Sequence, residues 1–304
     1  MTQERRGTLY GLAAYLMWGL FPLFFPLLKP ATPIEILAHR VLWTLVFMVA
    51  LLVALRRWAW VAAIVRDRRR LLILSVASVV IAINWGVYIW AVNNDHVVEA
   101  ALGYYINPLV TVLIGVVLLR ERLRTAQWVA VGLATCAVLA LTVDLGRPPW
   151  IALVLAFSFA TYGLMKNQVR MPAIESLTVE TALLVLPAAG VLAVVGASGK
   201  ATFGTSSVGL TVLLISLGVV TAVPLVLFGA AASRVPLSTM GLMQYLTPTL
   251  QFLIGVLVVH EQMSTGQWLG FATVWLALLV FSVDSLSTAR ASASSRKGVS
   301  RCGR

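Results

Sequence analysis

The chain has 304 residues, of which 60% are hydrophobic and 11% are charged, and its formal net charge is +12. Soluble domains contain about half apolar and about a quarter charged residues, so this composition excludes an ordinary soluble domain. A strongly basic chain often binds nucleic acid, but the basic residues here collect in alternate loops. We therefore expect the lipid bilayer, and no nucleic acid, as a partner.

Ten apolar runs follow one another along the chain, separated by short polar loops. A helix needs about 20 apolar residues to cross the ~30 Å hydrocarbon core of a bilayer, and most of the runs are close to that length. The ten runs occupy residues 8–28, 34–55, 71–92, 97–119, 126–143, 150–165, 177–195, 208–232, 236–259 and 267–286. We therefore predict an all-α integral membrane protein with ten transmembrane helices, the first of which is retained rather than cleaved as a signal peptide.

The basic residues are distributed unevenly between the two sides that this topology creates. Of the 23 Lys and Arg residues, 19 fall in one set of alternate segments, 3 fall in the other, and Arg40 lies inside the second run. Positive charge marks the cytoplasmic side of a membrane protein. The bias predicts that both termini are cytoplasmic and that the Ser- and Arg-rich segment 287–304 is a disordered basic tail.

The second half of the chain repeats the first at an offset of 140 residues. YYINPLVTVLIGVVLLRERLRTAQW (104–128) aligns with QYLTPTLQFLIGVLVVHEQMSTGQW (244–268), and Pro, Gly, Glu, Gln and Trp fall in register. We predict two five-helix repeats, residues 1–145 and 146–286. Because five is odd, the second repeat must enter the membrane in the opposite orientation, and inverted repeats are typical of transporters.

Polar residues gather around a proline in the middle of the fourth and of the ninth predicted helix. Pro108 and Pro248 each remove a backbone hydrogen bond and free a carbonyl at bilayer depth, which is tolerated inside protein or beside a wet cavity. A simple kink compensated by packing is the alternative. The cavity interpretation predicts substrate-binding side chains near the bilayer midplane, namely Trp18, Asn84, Tyr88, Tyr104, Asn107, Tyr162, Gln244, Thr247 and Gln251.

Three charged residues lie inside predicted helices, where charge is costly and often functional. Arg40 and Glu180 occupy equivalent positions in the two repeats, and Glu99 lies in the first turn of the fourth helix. We expect Arg40 to pair with Glu99 at the outer mouth of a pathway. We expect Glu180, for which the sequence suggests no cation, to meet substrate or a proton at the inner mouth. The alternatives are structural ions at Arg40 and Glu180 and a favourable helix N-terminal position for Glu99.

The sequence contains no residue pattern typical of an enzyme. The histidines lack metal-ligand spacing, GASGK (196–200) does not match a phosphate-binding loop, and no nucleophile or zinc motif is present. We expect no metal, no cofactor, no enzymatic activity and a small-molecule substrate. The alternative is an integral membrane enzyme or a lipid-handling protein without ATP-driven activity.

Four segments together resemble a known family. They are NWGVYIWAVNNDHVVEAALGYYINPL (84–109), RERL with the following QW, SFATYGLMKN (158–167) and QYLTPTLQFLIG (244–255). These segments resemble the RarD group of the drug/metabolite transporter superfamily, whose repeat is called EamA. The resemblance implies ten helices, a bacterial inner-membrane location and a permease that moves a metabolite or drug by alternating access. The family is associated by name with chloramphenicol sensitivity. The small multidrug relatives use a Glu in the first helix, which residues 8–28 lack, so their proton mechanism is not expected here.

Overall fold

The computed structural model describes residues 3–56, 58–119, 123–235 and 237–302. Within these ranges the chain is all-helical and contains no strand. The α-helices are α1 (Gln3–Gly19), α2 (Phe21–Phe24), α3 (Pro33–Leu55), α4 (Trp60–Arg66), α5 (Arg68–Asn93), α6 (Val97–Leu119), α7 (Thr125–Leu145), α8 (Trp150–Val169), α9 (Ala173–Ala197), α10 (Val208–Ala232), α11 (Leu237–Met243), α12 (Leu246–Leu257) and α13 (Thr265–Cys302). A short 3-10 helix, Phe25–Leu28, follows α2 directly.

Most of the predicted spans are helices long and apolar enough to cross a membrane. Eight helical segments of the described chain meet that requirement, and a ninth results if α1 is counted together with the bent segment Phe21–Leu28. The predicted sixth span lies in α8, which is not among them. Its second half includes Ser158, Thr161, Tyr162 and Lys166, whose polarity lowers the mean hydropathy below that of the other spans.

Side-chain caps explain where several helices begin. Thr32 accepts a hydrogen bond from the Glu35 amide at the start of α3, at 3.3 Å. Ser207 accepts one from the Leu210 amide at the start of α10, at 3.1 Å. Such caps satisfy backbone N–H groups that have no partner within the helix. The residues at these helix ends therefore set where the spans begin through local hydrogen bonds that do not depend on tertiary packing.

Two of the predicted spans are interrupted. α1 and the segment that follows Leu20 are bent by 42°, and the predicted ninth span is divided between α11 and α12. Pro248 therefore lies in the first turn of α12 and not in the middle of a continuous helix, which corrects the prediction. A proline lacks the N–H that would bond Gln244, and a first turn tolerates that loss. Pro108, in contrast, lies inside the continuous helix α6.

The most extensive helix contacts join the first half of the chain to the second half. α3 packs against α9 and α10, α1 against α10 and α12, and α8 against both α5 and α6. α6 also packs against α12, and α7 against α13. Gly103 permits close contact of α6 with α8, because a Cβ there would lie 2.7 Å from the Ala152 carbonyl oxygen. The polar residues of both halves are therefore brought to one interface.

The last helix extends beyond its predicted end. α13 continues to Cys302, whereas the composition of 287–304 predicts a disordered tail. Residues 303 and 304 lie outside the described residues.

Candidate functional site

Arg40, on α3, is buried among aromatic rings of neighbouring elements, with 4% of its surface exposed. The central guanidinium carbon lies 4.2 Å from the Trp85 ring centroid and 5.7 Å from the centroids of Phe21 and Phe25. Nε donates a hydrogen bond to Thr221 Oγ1 on α10 at 3.1 Å. Within the described residues, no carboxylate forms an ion pair with Arg40.

This environment stabilises the Arg40 charge only in part. An arginine at the centre of a membrane helix costs about 2.5–3.5 kcal/mol on insertion scales. A desolvated cation–π contact contributes about 2 kcal/mol in return. Arg40 thus has favourable contacts to rings and to one hydroxyl, but no negative charge within the described protein compensates its own.

Asn84 joins three helices beneath this group. Its Nδ2 donates to the Leu155 carbonyl at 3.1 Å and to Ser158 Oγ at 2.9 Å, both on α8. The Tyr104 hydroxyl, on α6, donates to Asn84 Oδ1 at 3.2 Å. Asn84 is 1% exposed, and its polar atoms are occupied by protein groups. Asn84 therefore links α5 to α8 and to the Tyr104 hydroxyl of α6.

Next to Arg40 lies a tyrosine hydroxyl that is buried without a hydrogen-bond partner in the described chain. The hydroxyls of Tyr88 and Tyr104 lie near enough to interact electrostatically with the Arg40 guanidinium. The Tyr88 hydroxyl lies beside the Gln251 side chain, but within the described chain neither this hydroxyl nor Gln251 Oε1 has a partner at hydrogen-bond geometry. Gln251 Nε2 donates to the Trp18 carbonyl at 3.2 Å. Side chains from α3, α5, α6 and α12 and the Trp18 carbonyl of α1 thus converge here.

Glu180 lies in a second polar cluster, on α9. Its Oε1 accepts hydrogen bonds from Lys166 Nζ at 2.7 Å and from Ser176 Oγ at 2.9 Å, and its Oε2 accepts one from the Tyr162 hydroxyl at 3.0 Å. Glu180 is 1% exposed. The expectation of a Glu180 without a cation is therefore wrong, because α8 extends past the predicted end of its span and places Lys166 one turn beyond Tyr162.

Glu99 is occupied by groups other than Arg40. Arg147 Nη2 donates to Glu99 Oε2 at 3.0 Å, and the Ile151 amide donates to Glu99 Oε1 at 3.1 Å. The expected Arg40–Glu99 pair is therefore absent from the described residues. Glu99 instead joins the start of α6 to the start of α8, in the position where a carboxylate favours helix N-termini.

The other predicted residues lie around the break between α11 and α12. Thr247 Oγ1 donates to the Tyr15 carbonyl at 2.9 Å, and Gln244 lies in the break itself, directly after Met243 ends α11. The Trp18 ring lies 5.6 Å from the Tyr15 ring. On α6, Asn107 Oδ1 is buried and, within the described chain, has no hydrogen-bond partner.

Sequence reasoning did not identify several residues that form the two clusters. Trp85 is adjacent to Asn84 but is also an expected residue type at a membrane interface. Lys166 follows Tyr162 by four residues, a spacing that places both on one helix face. That spacing was the available signal for the Glu180 partner. Phe21, Phe25 and Thr221 give no comparable signal, because apolar residues fill every span and threonine occurs in most of them.

A pocket of about 410 Å³ lies at the ends of the helices near the Asp95 loop. The Glu261 carboxylate, in the loop between α12 and α13, accepts hydrogen bonds from the amides of Val97 and Val98 and thereby caps α6. The pKa of Glu261 is raised to about 7, chiefly by burial; the two amides oppose the shift, and the neighbouring Asp95 and Glu99 contribute to it. Glu121, its counterpart in the repeat, lies outside the described residues.

The comparisons with known proteins agree with the sequence resemblance. A model of the EamA-like transporter family matches residues 5–143. The RarD protein of Streptomyces exfoliatus is 57% identical over 290 residues, which are 95% of this chain and 92% of that protein. The RarD protein of Escherichia coli K12 is 43% identical over 288 residues, 95% of this chain and 97% of that protein.

One solved crystal structure is similar in fold. It covers 90% of this chain and 96% of its own, with a TM-score of 0.57 and 19% sequence identity. At that identity the likeness concerns the fold alone. The relatives, in contrast, are similar over nearly their whole length. The chain therefore belongs to the RarD group of the EamA-like transporter family and is a multi-pass transporter of the cell membrane.

Proposed function

We propose that this protein is a secondary transporter that moves a small organic metabolite or drug by alternating access. Its ten apolar segments form ten transmembrane helices in two inverted repeats, residues 1–145 and 146–286, and both termini are cytoplasmic, as expected for a bacterial inner-membrane permease. Solute binds between the repeats, near Arg40, Tyr88, Tyr104 and Gln251.

One observation carries this proposal. Buried polar side chains from both halves of the chain converge at one interface, and two of them, Tyr88 and Gln251, present polar atoms that bond no described protein group. In a membrane protein such groups are costly unless they line a pathway or meet a ligand. Interrupted helices beside them, α1–α2 and α11–α12, are a frequent construction of transporter binding sites.

The helix contacts support the two-repeat arrangement. If α1 is exchanged with α8, α3 with α9, α5 with α10 and α6 with α12, then the contact of α3 with α10 becomes that of α9 with α5. The contacts of α1 with α10 and α12 likewise become those of α8 with α5 and α6, and all of these contacts are present. A pseudo-two-fold relation between the halves accounts for this correspondence.

Counterflow in proteoliposomes tests the function. We expect purified full-length protein to exchange an internal unlabelled solute for the same external radiolabelled solute without ATP, in a panel of organic anions, cations and neutral solutes. A Gln251→Leu variant is expected to lose exchange, while a Leu186→Ala variant, altered at an exposed position of α9, retains it. Conversion of a solute to product without exchange would instead indicate an enzyme.

A further inference from the structure

Four of the five N–H groups of the Arg40 guanidinium have no acceptor within the described protein. Nε is bonded to Thr221 Oγ1 at 3.1 Å, and neither terminal nitrogen donates to a described group. A guanidinium presents these donors in a planar fork that matches the two oxygens of a carboxylate. Arg40 is therefore fixed at one nitrogen and open at the two nitrogens that bind anions best.

The charge at the equivalent position of the second half is compensated, whereas that of Arg40 is not. Glu180 is paired with Lys166 at 2.7 Å and accepts two further hydrogen bonds. Glu180 is therefore not available to attract a cation, and Arg40 repels one. This difference favours a negatively charged ligand beside Arg40.

The aromatic surroundings of Arg40 restrict the chemistry of the ligand apart from its negatively charged group. Trp85, Phe21 and Phe25 present ring faces to the guanidinium, and the Tyr88 and Tyr104 rings lie 5.7 Å apart beside them. These rings favour a ligand whose uncharged part is apolar or aromatic. They supply no cation that could bind a second negative charge. The Tyr88 hydroxyl, which has no partner in the described chain, is free to donate to the same anion.

From these contacts we propose that the transported solute is a small organic monocarboxylate with an apolar or aromatic body, whose carboxylate binds Arg40 and the Tyr88 hydroxyl. The inference rests on the proposed transport function and gives its substrate class. The bound carboxylate supplies the counter-charge that Arg40 lacks, and the aromatic rings enclose the apolar body. Loading of the site thereby replaces an uncompensated buried charge by a hydrogen-bonded ion pair.

Thermal unfolding of the purified full-length protein in detergent tests the charge preference. The probes are a series of monocarboxylates that includes benzoate, 3-phenylpropionate and hexanoate, compared with benzamide, benzylamine and phenyl phosphate. We expect monocarboxylates to raise the Tm with increasing concentration and benzamide and benzylamine to leave it unchanged. If no monocarboxylate raises the Tm, or if phenyl phosphate alone or benzylamine does so, the carboxylate assignment is wrong.

Variants connect the effect to the two proposed contacts. We expect Arg40→Gln to weaken carboxylate binding by about tenfold or more, because hydrogen bonds to charged groups are lost, while the Tm without ligand is not lowered. Tyr88→Phe should weaken binding and leave the unliganded protein intact, since its hydroxyl has no described partner. Arg234→Gln, at an exposed arginine, is the control and should bind as the wild type does. Unchanged binding in both Arg40→Gln and Tyr88→Phe would refute the proposed contacts.

Counterflow of the same probes separates this inference from the transport function. Exchange of benzylamine or benzamide without exchange of any monocarboxylate would leave the transport function intact and contradict the anion site. Absence of exchange for every class of solute, in protein that still unfolds cooperatively, would contradict the transport function itself.

Discussion

Glu180 and Arg40, two buried charges at equivalent sequence positions, are stabilised in different ways. Glu180 accepts hydrogen bonds from Lys166, Ser176 and Tyr162, so its charge is neutralised by the protein. Arg40 contacts aromatic ring faces and donates a hydrogen bond to Thr221 Oγ1. Removal of one member of the Glu180 pair leaves an uncompensated charge, whereas removal of the Arg40 charge leaves none. The two positions should therefore respond differently to neutral substitutions.

We expect Glu180→Gln and Lys166→Met each to lower the free energy of unfolding by about 3 kcal/mol, since each leaves a buried charge without its partner. The double variant should recover most of this loss because both charges are removed. Thermal unfolding of purified protein measures the effect. Arg70→Gln is the control, because its ion pair with Asp67 is exposed and exposed pairs contribute about 0–1 kcal/mol. A double variant as unstable as the sum of the two single variants would show that the Lys166–Glu180 pair is not the source of the stability.

Sequence reasoning located Arg40 and Glu180 but not their partners, and it did not single out Glu35 and Glu175, which are buried as well. Arg40, Glu99 and Glu180 were recognised because charge is rare within apolar runs. Lys166 lies beyond the end of the predicted sixth span, because an apolar run ends where the first strongly polar residue appears. Arg147 lies in the loop before that span. Helices continue past that point when a side chain finds an acceptor, as Lys166 does at 2.7 Å from Glu180. Which residues pair with a buried charge depends on tertiary packing. The spacing of residues along one helix carries no information about that packing.

At the level of helices, Glu261 connects the loop after α12 to the start of α6. Its carboxylate bonds the amides of Val97 and Val98, which have no partner within their own helix. The pKa of Glu261 is about 7, against an ordinary value of 4.5, chiefly because the group is buried. The folded protein therefore retains this proton at a pH where the unfolded chain has lost it.

We expect the stability difference between wild type and Glu261→Gln to depend on pH. Because the folded pKa is raised, the contribution of Glu261 is fully present below about pH 4.5 and is lost as the pH rises through about 7. The wild-type Tm should therefore fall relative to that of Glu261→Gln over this interval. Asp95, His96, Glu99, Arg147 and His260 line the same pocket and are present in both proteins. A difference that stays constant from pH 4.5 to 8 would contradict the assignment.

The sequence predicted the helical spans more successfully than their internal breaks. Length and hydropathy determine a span, because the bilayer imposes both. The break at Gln244 was expected only as a kink at Pro248, since a proline is compatible with either a bent helix or a new first turn. The bend after Gly19 gave no proline signal at the break itself, although Pro22 follows within α2.

For the whole molecule, the distribution of basic residues predicts orientation. The loop that contains Asp95 should face outward, and the segment that contains Arg68 should face the cytoplasm. In a background with Cys136→Ala and Cys302→Ser, we expect Asp95→Cys to react with an impermeant maleimide in intact cells. Arg68→Cys should react only after the membrane is opened. The reverse labelling would contradict the cytoplasmic termini and, with them, the inverted arrangement of the repeats.

The contacts between the two halves also limit how the molecule can move. α8 packs against α5 and α6, and Asn84 fastens these three helices together through Leu155, Ser158 and Tyr104. A rocking motion of residues 1–145 against residues 146–286 would separate α8 from both of its partners. The rigid bodies of a transport cycle are therefore expected to be mixed bundles, each of which contains helices from both halves of the chain. If the two halves are expressed as separate chains, they should assemble only as an intertwined pair, since neither half contains all the helices of one rigid body.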